Sequence, residues 1–139
     1  MCEGELIQQS QLYKIPTIEE YIKKSTLKTA KLFLAEIEGL SIIHNTNNLD
    51  LKDFILNYGI AFQINNDLAN ITESQSDIKN GIYTAPVIYS ESTNITPSGI
   101  EKTLYLRDNY IEKCLNTLRN LKESIYKKEL IGIVKCLKK

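Results

Sequence analysis

The chain has 139 residues, a length at which about 70% of the unfolded surface can be buried without help from metals or disulfides. Its 17 basic and 17 acidic residues cancel, and no basic block gathers phosphate backbones, which argues against nucleic acid as a partner. Hydrophobic residues make up 42% and charged residues 24%, so neither disorder nor a membrane class is indicated, and no apolar run reaches the ~20 residues of a membrane span.

The start, MCEGELIQQSQLY, is acidic and polar where a secretory leader would be basic and then apolar. A cytoplasmic location is therefore expected. Arg107 and Arg119 are the only arginines, and isoleucine and asparagine are abundant. These are residues of AT-rich codons, which makes a plastid the alternative. Cys2, Cys114 and Cys136 are odd in number and widely spaced, as expected of reduced thiols rather than a disulfide framework or a zinc site.

In chain order, the apolar spacing predicts a helix over residues 2 to about 13, stopped near Lys14-Ile15-Pro16 because proline pushes its predecessor out of the helical region. Thr17-Ile18-Glu19-Glu20 fits a capping box that starts a helix over 17–43. Its buried stripe is expected to run from Ile18, Tyr21 and Ile22 towards Ile42 and Ile43. HNTNN, 44–48, reads as a polar connection in which the single histidine, His44, is solvated. Asn48 or Asp50 can cap the next helix, which runs through Leu51, Phe54 and Phe62.

Residues 72–83 read as a loop, followed by a short helix with Pro86 in its first turn. Thr96-Pro97 starts a helix to Lys122, and a last helix holds Leu130, Ile133, Val134 and Leu137. Gly39, Gly59, Gly99 and Gly132 are isolated and read as packing or helix-end glycines, since no Gly-rich phosphate loop is present. The expectation is one all-α domain over residues 1–139.

Two stretches carry candidate chemistry: Lys28-Thr29 and FQINNDLAN, 62–70. At about 100° per residue, Asn66 and Asn70 lie about 40° apart on one helix face, with Gln63 on the same side and Asp67 about 100° from Asn66. Gln63, Asn66, Asp67 and Asn70 thus form a coherent patch that Lys28-Thr29 could face across a helix pair. A merely polar helix face and a metal or diphosphate site both remain open on spacing alone.

Four blocks in order, GELIQQSQLY, YIKKSTLKTAKLF, GIAFQINNDLANI and SDIKNGIYTAPVIY, with the tail from Ser98 to Leu137, resemble the C-terminal half of the trans-isoprenyl diphosphate synthases. The look is that of long-chain polyprenyl synthases of cyanobacterial and plastid type. The resemblance implies an all-α fold with a central cavity, usually a homodimer, and head-to-tail condensation of isopentenyl diphosphate with an allylic diphosphate. It also implies two aspartate-rich motifs holding Mg²⁺, whose Lewis acidity draws diphosphate away.

Carried over by position, the resemblance makes Lys28 and Gln63 diphosphate-binding and Lys28, Thr29 and Gln63 catalytic. Asp67 becomes a weak metal ligand, with Asn66 and Asn70 at degenerate ligand positions. The departures are specific. The second motif, DDxxD in the family, reads Asn66-Asp67-Leu68-Ala69-Asn70; the lysine expected in the DIKNGIYT block is Ile82; and the first motif falls upstream of this sequence. Unit charges 4 Å apart interact by about 4 kcal/mol at an effective dielectric near 20. Two neutral residues at ligand positions therefore imply weak Mg²⁺ binding. The expectation is a truncated prenyltransferase, incomplete or weakly active alone, with homo-oligomerisation or association with a full-length synthase as a partner state. The alternative is a non-catalytic subunit or decayed fragment that associates with such a synthase.

Overall fold

The computed structural model describes residues 2–138, which form helices and turns with no strand among them. Helix α1 spans Cys2–Ser10 and α2 spans Ile18–Ser25. A π-helical turn, Thr26–Ala30, then leads into α3, Lys31–Ile43. The longest helix, α4, is Leu49–Glu73. A short α5, Ser76–Lys79, and α6, Ala85–Ser90, precede α7, Pro97–Arg119, and α8, Ile125–Cys136. The all-α expectation holds.

The start signals act as read. Thr17 Oγ1 accepts from the Glu20 amide at 3.2 Å while Glu20 Oε2 accepts from the Thr17 amide at 2.9 Å, the reciprocal capping box. Asn48, rather than Asp50, caps α4 by accepting from the Leu51 amide at 3.0 Å. Thr96 caps α7 through the Gly99 amide, with Pro97 in the first turn.

Three boundaries differ from the sequence reading. α1 ends at Ser10, before the residue-13 expectation, and Tyr13 continues in a left-handed conformation with its amide donating to the Gly81 carbonyl at 2.8 Å. α7 stops at Arg119 rather than Lys122, because the Lys127 ammonium takes the carbonyls of Arg119 and Leu121 that another helical turn would use. The 72–83 loop contains α5, held by Asn70: its Oδ1 accepts from the Asp77 amide at 3.3 Å and its Nδ2 donates to Ser76 Oγ at 2.9 Å.

α4 is the axis of two apolar clusters. One joins Phe54 and Ala61 of α4 to Ile111, Cys114 and Leu118 of α7 and to Val134 beside α8's end. The other joins Ile60 and Ile64 of α4 to Tyr21, Ala30 and Ala85. Burial pushes the Cys114 thiol up to about 12, consistent with an inert core cysteine, while Cys2 and Cys136 are exposed free thiols. The stripe expected to end at Ile42 and Ile43 does not reach a neighbour: they are 80% and 76% exposed, and no residue of α3 is fully buried. Ile133 is likewise exposed, and α8 packs through Ile131 instead. Gly59 and Gly99 make the expected close contacts, whereas Gly39 and Gly132 face open space within their helices.

Candidate diphosphate site

The site begins with an irregularity in the helix that carries Lys28 and Thr29. Ser25 Oγ donates to the Tyr21 carbonyl at 2.9 Å and Thr26 Oγ1 to the Ile22 carbonyl at 2.8 Å. Hydroxyls bonding one turn back compete with the helix ladder at that point. The ladder widens, and the Lys31 amide reaches the Thr26 carbonyl five residues earlier.

Two glycines hold the widened turn in place. A Cβ on Gly4 of α1 would lie 2.8 Å from the Lys28 nitrogen, and one on Gly59 of α4 would lie 2.6 Å from Ala30 Cα. The turn is thus clamped between two backbones that approach as only glycine permits.

From this turn a chain of hydrogen bonds crosses to α4 and back to α2. Thr29 Oγ1 donates to Gln63 Oε1 at 2.7 Å, and Gln63 Nε2 donates to Asp67 Oδ1 at 2.8 Å. Tyr21 Oη then donates to Asp67 Oδ2 at 2.6 Å. Gln63 is fixed at both ends of its amide, and both Asp67 oxygens have a donor.

Asp67 is only 3% exposed. Burial raises its carboxyl from the usual 3.8 to about 6, against the opposing pull of the Tyr21 and Gln63 hydrogen bonds and of the Lys24 charge. Desolvation also lifts the Tyr21 phenol well above its ordinary value, so it stays a hydrogen-bond donor at any physiological pH.

Tyr21, Gln63 and Asp67 line a cavity of about 170 Å³, together with Gln8, Lys24, Lys28, Asp77 and Ile82. Of the residues singled out in the sequence, Lys28, Gln63 and Asp67 are brought together here, and Thr29 stands directly behind Gln63. Asn66 and Asn70 are not. Asn66 is exposed, and Asn70 is spent on α5. Lys28 Nζ reaches Glu5 Oε1 at 3.0 Å and Gln8 Oε1 at 3.1 Å, both on α1.

Lys24 and Asp77 are cavity residues that the sequence reading did not single out, and Tyr21 was read only as a core residue. Spacing contained the first signal: Lys24 precedes Lys28 by four residues and so shares its face. Asp77 stands in the quoted block SDIKNGIYTAPVIY, but its return to the cavity depends on the turn that Asn70 anchors.

The ligand set that the resemblance assigns to Mg²⁺ is not assembled: of Asn66, Asp67 and Asn70 only Asp67 lines the cavity. Magnesium demands near-octahedral oxygen ligation and is held through carboxylates. Here the Asp67 oxygens are both engaged by protein donors, and Asn66 and Asn70 do not line the cavity. No group of three or more His, Cys, Asp or Glu side chains among the described residues could hold a metal ion.

A family model described as polyprenyl synthetase matches residues 1–120. A prenyl transferase of Cyanidium caldarium is 31% identical, over 96% of this chain and 52% of its own length. Solanesyl diphosphate synthase 1, chloroplastic, of Arabidopsis thaliana is 34% identical over 64% of this chain and 25% of its own.

Among solved structures, heptaprenyl diphosphate synthase from Staphylococcus aureus superposes with a TM-score of 0.86 at 22% identity, covering 99% of this chain and 55% of that one. A polyprenyl synthase from Caulobacter crescentus CB15, complexed with calcium and isoprenyl diphosphate, gives 0.84 at 18% identity with the same coverage. This chain therefore shares their helical fold and spans about half their length.

Proposed function

Because the chain belongs to the polyprenyl synthetase family, we propose that its cavity receives the diphosphate end of an allylic substrate and that the protein serves trans-prenyl transfer. In that reaction an allylic diphosphate condenses head to tail with isopentenyl diphosphate. The observation that carries the reading is the relay from Thr29 through Gln63 and Asp67 to Tyr21, which closes one wall of a cavity presenting two lysines.

Each group has a chemical part in it. The lysine ammonium groups offset the charge of a departing diphosphate. Gln63, clamped at both ends, presents a dipole that needs no reorganisation as charge develops. Asp67, ionised above pH 6, places negative charge on the wall beside a developing allylic cation. Magnesium has no part in this scheme, because two of its three implied ligand positions, Asn66 and Asn70, do not line the cavity.

The test is to incubate the purified chain with farnesyl diphosphate and labelled isopentenyl diphosphate. Longer labelled prenyl products that disappear in Lys28→Ala support transfer. Absence of product, with diphosphate binding intact, would reassign the chain as a non-catalytic subunit.

One observation favours a second element of the reading, association. The apolar residues Leu40, Ile42, Ile43 and Leu49 are exposed together around the α3–α4 connection. Such a surface is covered by partners in most soluble proteins, and a second copy or a full-length synthase is the partner proposed. No helix among the described residues is long and apolar enough to cross a membrane. A plastid location is supported over the cytoplasm by the abundance of isoleucine, asparagine and lysine, residues of AT-rich codons, and by the similarity to a chloroplastic protein. A fluorescent fusion reports which compartment is right.

A further inference from the structure

Two lysines are almost fully buried, Lys24 at 6% and Lys127 at 8% exposure, and they are opposite cases. Lys127 Nζ is satisfied: it donates to Glu123 Oε1 at 2.6 Å, to the Leu121 carbonyl at 2.9 Å and to the Arg119 carbonyl at 3.4 Å. Lys24 Nζ has no hydrogen-bond acceptor and no carboxylate within ion-pair distance among the described residues. It lies over the Tyr21 ring, 5.7 Å from the centroid.

The Lys24 stem is buried, but its ammonium is not enclosed: it keeps access to the cavity and finds no protein acceptor there. Lys24 faces the cavity. Burial pulls its pKa down, and the nearby charges act in both directions: Asp67, Asp77 and Glu5 favour the ammonium while Lys28 opposes it.

The remaining charged groups around the cavity are already committed, with one exception. Lys28 is held by Glu5 and Gln8. Asp67 has a donor on each oxygen, from α2 on one side and α4 on the other. Asp77 of α5 is the exception: it lines the cavity beside Asp67, and its carboxylate makes no hydrogen bond among the described residues.

From this arrangement we infer that Lys24 is the anchor for diphosphate in the cavity, and that lysine ammonium groups hold the anion with no divalent cation bridging it to the chain. The inference rests on the diphosphate reading given above and departs from it in the means of binding. Lys28 is the second cation, released from Glu5 when an anion enters. Ile82, at the position where the resemblance expects a lysine, leaves Lys24 as the deeper of the two positive charges.

The experiment is calorimetric titration of the full chain with inorganic pyrophosphate, once in EDTA and once in excess MgCl₂. Binding in EDTA, undiminished relative to the magnesium series and weakened tenfold or more by Lys24→Met, is the expected result. Lys24→Gln, run in parallel, keeps a polar group of similar length and should lose affinity equally, since the charge is what binds. Asp77→Asn should bind in EDTA at least as well as the unaltered chain.

Thermal melts separate anchoring from packing. With its unpaired charge removed, Lys24→Met should melt no lower than the unaltered chain while losing the upward shift that pyrophosphate gives. A lower melting point with affinity unchanged would make Lys24 a structural lysine and overturn the inference. Binding that requires magnesium and is lost in Asp77→Asn would also overturn it, while leaving the diphosphate reading standing. Absence of binding in both series would overturn the two together.

Discussion

Buried between α2 and α4, the Asp67 carboxyl carries a pH signature that the neighbouring hydrogen bonds make specific. Its pKa rises from 3.8 unfolded to about 6 folded, because burial outweighs the donors Tyr21 and Gln63 and the Lys24 charge, with Asp77 of α5 adding to the rise. A raised folded-state pKa means that the group's contribution to stability is fully present below pH 3.8 and is lost as pH rises through 6. Two pKa units correspond to roughly 3 kcal/mol. Asp67→Asn should therefore be more stable than the unaltered chain at pH 7.5, by about 3 kcal/mol, with the difference vanishing as pH falls below 3.8. Urea denaturation across that range measures the difference. A second expectation concerns Lys28, whose ammonium is tied to Glu5 at 3.0 Å. Glu5→Gln frees it and should tighten pyrophosphate binding several-fold in the same calorimeter, with little effect on stability because the pair is partly exposed.

The decisive element is the π-helical turn Thr26–Ala30 and the two close backbone approaches that confine it. Ordinary helix periodicity predicted a continuous helix over 17–43, because Ser25 and Thr26 are unremarkable as residue types. Only their hydroxyl bonds one turn back, together with Gly4 and Gly59 pressing from α1 and α4, explain the widening. Gly59→Ala should destabilise the chain by about 2 kcal/mol, since the new methyl meets backbone that cannot step aside. Gly39→Ala should do the reverse, adding roughly 0.5–1 kcal/mol, because nothing lies within 4 Å and a helix-interior glycine is entropically costly. Paired thermal melts test both. The caps at Thr17, Asn48 and Thr96 were legible because each is a local exchange of a few atoms. The boundaries at Ser10 and Arg119 were not, because Gly81 and Lys127 set them from other segments.

At the scale of the whole molecule, the chain has a core around α4 and an apolar shoulder at α3 that its own residues leave uncovered. The hydrophobic stripe was legible as a stripe, yet what faces it cannot be read from periodicity, which reports a face and not its neighbour. On the proposed association, Ile42→Lys with Ile43→Lys should shift the chain towards monomer in analytical ultracentrifugation while changing its unfolding free energy by no more than about 0.5 kcal/mol, as exposed positions tolerate change. The candidate site divides in the same way. Lys28, Gln63 and Asp67, singled out from four blocks in order, do meet at the cavity with Thr29 bonded to Gln63, whereas Lys24 was not singled out, and Asn66 and Asn70 face solvent and α5. The most direct test of the account compares binding of farnesyl diphosphate with that of farnesol, the same prenyl chain without the diphosphate, to the unaltered chain and to Lys24→Met. Farnesyl diphosphate is expected to bind at least tenfold more tightly than farnesol, and Lys24→Met to remove this preference. Equal affinity for the two ligands, or a preference untouched by Lys24→Met, would contradict it.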